Sequence, residues 1–465
     1  MAADPTALNC SSSFAAALMF LLASCAGLPE MNTASIRSTL KAVPIEGLHG
    51  PLTAASSAAT LDKLQRPGQS TGFFDRHLAR EEAIVGSPLT LGNSVRLLKD
   101  GPATFTAMLA AIQAATDHIN LETYILEDDA VGQRFAQALI AKQEQGVQVN
   151  LIYDSVGALY TPNEFFQRLK DRGIRVLEFN PVNPVLARVG WNQNQRDHRK
   201  LLIVDGRIAF LGGINISSVH SGGSARRMGR SSSPGRTAWR DTDLELRGPV
   251  VEVLQRGFLA TWSAQQGETL PQRNYFPGSE HAGGLVVRAI SSSPQESSSL
   301  MYATLLSAIS SAGTSVHLTN AYFVPDPQLL EALMVAVSRN VAVRLIVPGK
   351  SDSWLVFHAG RSFYEQLLSA GVEIYERQDV ILHAKTVLVD GVWAAVGSTN
   401  LDWRSFLHNH ELDAVVLGAD FGSQLQTMFE NDLARSDRVA LEAWQHRSWR
   451  LRVQEWMARR WEYWL

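Results

Sequence analysis

Two histidine–lysine pairs are the residues of this 465-residue chain best placed to do chemistry. His198 and Lys200 stand at the head of the apolar run L-L-I-V, followed by Asp205-Gly206, a second apolar run and Gly212-Gly213-Ile214-Asn215. His383 and Lys385 repeat the arrangement, with T-V-L-V, Asp390-Gly391, V-W-A-A-V and Gly397-Ser398-Thr399-Asn400. His, Lys, Asp, Gly and Asn all recur at one offset of 185 residues. Side chains two apart on a strand leave the same face, so each copy holds an imidazole beside an ammonium. The ammonium and the Asn amide can neutralise the oxygens of a phosphate while an imidazole nitrogen attacks phosphorus. A lone histidine near a strand is ordinarily just a satisfied polar group, but duplication of the whole pattern argues against that here.

The elements that must position these groups follow from spacing. Asp-Gly between two β-branched runs is the signature of a tight hairpin whose central residues take positive φ. Asp205 and Asp390 occupy a turn position that favours Asp or Asn, so both read as structural. Upstream of each hairpin, strands alternate with amphipathic helices. The first half runs V-R-L-L, a helix to about Thr116, I-N-L-E-T-Y-I-L, a helix near Val131 to Gln145, V-Q-V-N-L-I-Y-D, a helix near Asn163 to Arg172, and I-R-V-L-E-F. The second half repeats the order, and Tyr124 and Gly173 match Tyr322 and Gly371 at an offset of 198. This is an internal duplication of an α/β unit with a sheet covered on both sides. Pro181 to Gln193 has no counterpart in the second half, nor do about fifteen residues between Ile216 and Asp241. The latter, rich in Gly, Ser and Arg, reads as a surface loop or as a mobile lid offering Arg226, Arg227, Arg230 and Arg236 to anionic groups.

H-x-K-x-x-x-x-D followed by G-[GS]-x-N, present twice, resembles the phospholipase D superfamily. H-R-K-L-L-I-V-D-G, W-R-D-T with a following R-G-P, and L-H-A-K with a following G-S-T-N-L-D are most similar to bacterial cardiolipin synthases. The resemblance covers roughly residues 95 to 465 and implies two tandem pseudo-symmetric phospholipase D-like α/β/α sandwich domains, with mixed, mostly parallel sheets. The expected boundaries are 91–270 and 271–432. It implies His198 as nucleophile, His383 as general acid and then base, Lys200 and Lys385 as cations, and Asn215, Asn400, Gly213 and Ser398 around the phosphate. It also implies a carboxylate that fixes each imidazole. Asp241 and Glu411, paired at an offset of 170, fill that role, Asp241 for His198 and Glu411 for His383. Asp243 and Asp413 align as well, which leaves the choice between neighbours open. No metal or other cofactor is expected, since two lysines supply the positive charge.

The remaining features bear on substrate and location. A net charge of −3 gives no general attraction to nucleic acid. Cys10 and Cys25 are the sole cysteines, which excludes a structural zinc or disulfide framework in the body. Phe14 to Ala23 is an apolar run of signal-peptide length ending in Leu22-Ala23-Ser24-Cys25, which resembles a bacterial lipobox. Residues 1–24 therefore read as a lipoprotein signal with Cys25 lipidated and facing the periplasm, although the run lacks a positive start. An ordinary or uncleaved apolar segment is the alternative. Residues 25–90 read as a flexible tether and short helix, and 433–465 as a Trp/Arg-rich amphipathic helix. On that helix Val453, Trp456, Met457, Trp461 and Trp464 share one face, suited either to a bilayer interface or to packing on the domain. The reading that results is transfer of a phosphatidyl group between phosphatidylglycerol molecules at a membrane surface. Hydrolysis by water, as in a phospholipase D, and nuclease action are the alternatives.

Overall fold

The computed structural model describes residues 43–65, 72–186, 188, 191–222, 238–296 and 299–465. Cys25 and the proposed signal lie outside them, as do Arg226, Arg227, Arg230 and Arg236 of the proposed lid. The duplication is visible in the strand pairings. In the first half, strands His118–Thr123, Gln148–Asp154 and Arg175–Phe179 run parallel. In the second, Ser315–Thr319, Ala342–Pro348 and Glu373–Arg377 do the same. Each parallel set is continued by a motif hairpin: Ile119 faces Val204 in one half and Val316 faces Val389 in the other.

The sheets are mixed, but parallel pairing does not dominate. The hairpin strands, and Leu89–Leu98, Asp243–Arg247, Leu285–Ser292 and Asn409–Leu417, all join antiparallel. The reason lies in the motif itself, since a two-residue Asp-Gly connection can only join antiparallel strands. The halves fuse where Leu285–Ser292 pairs with Leu89–Leu98. Between them lies a shared core, which holds Phe258 and Trp262 of helix Val250–Ala264 and Phe421, Leu425 and Met428 of helix Ala419–Leu433. Separate cores line the outer faces of the two sheets.

Both hairpin turns adopt the expected conformation, with Asp205 and Gly206 at φ 53° and 63°, and Asp390 and Gly391 at 51° and 68°. The Asp205 carboxylate accepts from the backbone of Thr116, Asp117 and His118 at 2.8, 2.9 and 3.0 Å, and from Thr116 Oγ1. Asp390 does the same for Gly313, Thr314 and Ser315. Burial alone would raise the Asp205 carboxyl, but those backbone donors hold it below the usual range. Five residue steps separate it from Lys200, about 17 Å of extended chain. Asp205→Asn keeps a residue that tolerates positive φ and is expected to lower stability by about 2 kcal/mol, with turnover unchanged within about twofold. Thermal melts and assays of the purified variant check this. A fully folded, inactive variant would move Asp205 into the catalytic machinery.

The chain outside the two halves differs from expectation at both ends. Strand Ile45–Gly47 pairs with the start of Leu89–Leu98, and helices Ala54–Leu64 and Phe73–Val85 follow, so the stretch read as a tether is folded from residue 45. Phe73, Phe74 and Leu78 are buried in the second half's outer core, where Glu81 meets Arg288 and accepts from Trp393 Nε1. At the other end, 433–465 is not one helix but strand Ser436–Arg438 and helices Leu441–Gln445 and Trp449–Arg459, closed by a 3₁₀ turn at Glu462–Trp464.

Candidate active site

Each motif histidine is carried into place by a strand of the other half. Arg196–Asp197 runs parallel to Asn409–Leu417, pairing Asp197 with His410, and His198 N donates to His410 O at 2.9 Å. The next residue along that strand is Glu411. Likewise Trp239–Arg240 pairs in parallel with Ile381–Leu382, and His383 N donates to Arg240 O at 2.8 Å, which places Asp241 beside it. The carboxylates are therefore exchanged relative to expectation. His198 Nδ1 lies 2.9 Å from Glu411 Oε2, and His383 Nδ1 lies 2.6 Å from Asp241 Oδ2. Asp241 and Glu411 do orient the histidines, but each serves the histidine of the opposite half.

Protonation follows from the surroundings. Burial opposes charge on both carboxyls, yet His198, Lys200 and Ser398 hold Glu411 below the carboxylate range, while His383 and Lys385 hold Asp241 down at about 2. Ionised carboxylates only accept, so Nδ1 of each ring carries the proton and Nε2 keeps its lone pair. Burial first, then Lys200 and Lys385, push His198 down to about 4 against the pull of Glu411. Burial and Lys385 lower His383 as well. Lys200 falls to about 7 through burial and repulsion by Lys385. Each imidazole feels both lysines, which makes this one site rather than two.

Both ammonium groups stay close to their own histidines. Lys200 Nζ donates to His198 O at 2.6 Å and stands 5.3 Å from the Tyr124 ring centre, and Lys385 Nζ donates to His383 O. Asn215 and Asn400 are buried at the ends of the hairpins; Asn215 Oδ1 accepts from Ile125 N at 3.3 Å, and Asn400 Oδ1 has no partner. Gly213 and Ser398 sit against the orienting carboxylates, a placement not anticipated for residues expected at the phosphate. A Cβ at Gly213 would come within 2.2 Å of Asp241 Oδ1, and Ser398 Oγ donates to Glu411 Oε2 at 2.5 Å while accepting from Leu412 N. Asp243 and Asp413 are engaged elsewhere, accepting from Ile214 N and Thr399 Oγ1 respectively.

One residue beside the site was not foreseen. His220, in the turn Ser218–Ser221, is 1% exposed, and neither ring nitrogen has a hydrogen-bond partner among the described residues. Its Nδ1 lies 3.9 Å from Asp241 Oδ2, and its ring centre 5.7 Å from that of His383. Burial pushes it down to about 3, so it is neutral. It falls in the Ser-rich start of the segment read as a surface loop, where only a lone aromatic residue between serines hinted at burial. With Asp241 and His383 it forms the cluster, among the described residues, whose ligand atoms are close enough together to hold a metal ion. That carboxylate is already engaged by the His383 Nδ1 proton.

This geometry can be set beside known proteins. A family model described as "Cardiolipin synthase, PLD-like domain" matches residues 108–220 and 305–433, which include both motifs. The chain is 34% identical over 398 residues to a cardiolipin synthase of Halalkalibacterium halodurans, covering 85% of this chain and 76% of that one. A Geobacillus cardiolipin synthase is 36% identical over 392 residues, covering 83% and 76%. The crystal structure of phosphatidylserine synthase from Haemophilus influenzae superposes with a TM-score of 0.57 at 13% identity over 82% of this chain and 99% of that one, a likeness of fold alone. By its family model and its relatives, the chain belongs to the cardiolipin synthase family of phospholipase D-like proteins.

Proposed function

We propose that this enzyme transfers a phosphatidyl group from one phosphatidylglycerol to the hydroxyl of a second, forming cardiolipin and releasing glycerol. His198 Nε2 attacks phosphorus as the P–O bond to glycerol breaks, and His383 gives the departing alkoxide a proton. His383 then takes the proton of the incoming hydroxyl as its oxygen forms the new P–O bond and His198 is released. Lys200, Lys385, Asn215 and Asn400 neutralise and hold the phosphate oxygens. A bound phosphodiester anion raises the pKa of both Lys200 and His383, supplying the charge that burial withholds from the empty site. The observation that carries this reading is the pair of imidazoles, each held at Nδ1 by a carboxylate of the opposite half and each left with a free Nε2.

Both substrates are bilayer lipids, so the site works at a membrane, and lipidation of Cys25 would hold the chain at the periplasmic face. The test is incubation of the purified protein with phosphatidylglycerol. Cardiolipin and glycerol in equal amounts support transfer; phosphatidic acid as the main product would make it a hydrolase. Cutting of plasmid DNA without lipid turnover would make it a nuclease.

A further inference from the structure

The C-terminal helix is mounted inside out. Glu455 is buried and paired with Arg447 at 2.9 Å, and Ala458 is fully buried, while the apolar face looks outward. Trp449 is 70% exposed, Trp456 59% and Trp464 47%. Packing on the domain therefore uses the side of the helix that carries Glu455 and Ala458 and leaves Trp449 and Trp456 exposed. Guanidinium groups interleave with them: Arg450 lies over Trp449 at 5.9 Å, and Arg460 over Trp456 at 4.9 Å.

The elements that carry this face are tied to the walls of the site. The helix packs on Trp354–Arg361, whose first residue is half exposed. Two residues before it, Asp352 accepts from the Tyr322 hydroxyl at 2.8 Å, and the Tyr322 ring lies 6.3 Å from that of His383. The chain end closes on the other side. Leu465 O accepts from Arg404 N at 3.0 Å, in the helix that follows Asn400, and Arg404 Nη1 donates to Asn194 Oδ1 at 3.3 Å. Asn194 directly follows the segment unique to the first half, whose turn Pro184–Leu186 leaves Val185 86% exposed. The loop after Asp154, the counterpart of Asp352 at the 198 offset, is tied to the site in the same way. Its Gly157 packs against Tyr124, beside His198, and its Leu159 and Tyr160 are 60% and 94% exposed. Among the described residues, only Phe276 and Val335 are large apolar side chains exposed elsewhere.

We infer that these exposed side chains surround the mouth of the site and form a docking surface for an anionic phospholipid bilayer, seating the site on the headgroup layer. Aromatic side chains with an apolar body, interleaved with guanidinium groups, fit the boundary between acyl chains and phosphates. A soluble partner would leave the charge pattern unexplained, whereas anionic headgroups complement it. The inference rests on the lipid-transfer reading and adds where the lipid surface is met.

Vesicles of phosphatidylglycerol and dibrominated phosphatidylcholine provide the test, read by quenching of tryptophan fluorescence in the full chain. The wild type is expected to be quenched severalfold more than Trp456→Ser/Trp461→Ser. Turnover of long-chain phosphatidylglycerol in vesicles should fall at least about tenfold in that variant and in Leu159→Ser/Tyr160→Ser, while turnover of monomeric short-chain phosphatidylglycerol stays within about twofold. Equal loss on both substrates, or no change on vesicles, overturns the proposal. So does a dimer in solution that shields the tryptophans, which would make a second copy the occupant. Quenching without any phosphatidylglycerol turnover would sink the lipid-transfer reading and leave the docking surface standing.

Discussion

His198→Ala is expected to abolish turnover, by at least about 10⁴-fold, because it removes the group assigned to form the covalent phosphoenzyme. His383→Ala should cost as much on phosphatidylglycerol, whose glycerol leaves poorly without a proton. The two variants part company on a substrate with an activated leaving group, such as a nitrophenyl phosphodiester. There His383→Ala should still release a stoichiometric burst of nitrophenol and then stall with phosphate on His198, since it lacks the base that activates the acceptor. His198→Ala should give no burst. Both side chains are nearly buried, with relative exposures of 8% and 5%, so melting curves must show that each variant is folded before rates are compared. A burst in His198→Ala and none in His383→Ala would reverse the assignment of nucleophile and acid.

The hairpins and the duplication were legible because both are written in short-range pattern. Asp-Gly between β-branched runs dictates a primed turn, and the structure puts Asp205 and Asp390 in it with positive φ. The helix expected near Asn163 to Arg172 runs from Asn163 to Asp171, because its apolar periodicity is likewise local. The partner of each histidine was not. When a chain is a tandem repeat, Asp241 stands to His198 as Glu411 stands to His383, and exchanging the two carboxylates preserves that symmetry. Only the long-range pairings of Asp197 with His410 and Arg240 with Leu382 decide between the arrangements, and no local spacing encodes them. The C-terminal segment shows a different limit. Its apolar arc was plain in the sequence, but which side faces the protein depends on Glu455 finding Arg447.

The crossed arrangement makes its own prediction, argued from Glu411. Its carboxylate receives His198 Nδ1, Ser398 Oγ and Asn409 Nδ2, at 2.9, 2.5 and 3.2 Å. Glu411→Gln replaces one acceptor oxygen with a donor, so one of those donors meets another and the His198 ring is free to take the wrong tautomer. The expected loss in kcat is about 10² to 10⁴, by analogy with other imidazoles deprived of their carboxylate. The pH profile separates this from mere loosening of the fold. Glu411 raises the pKa of both His198 and Lys200, so its removal lowers both. The acidic limb, where His198 gains a proton and stops being a nucleophile, starts near about 4 and should move down. The alkaline limb of kcat/KM, where Lys200 loses the charge it lends to phosphate, starts near about 7 and should move down with it. The leaving-group test then identifies the histidine that was disabled. If Glu411 serves His198, Glu411→Gln slows the nitrophenol burst itself, whereas Asp241→Asn spares the burst and slows only the steps that need His383. Same-half pairing would give the opposite result, with the burst failing in Asp241→Asn and surviving in Glu411→Gln.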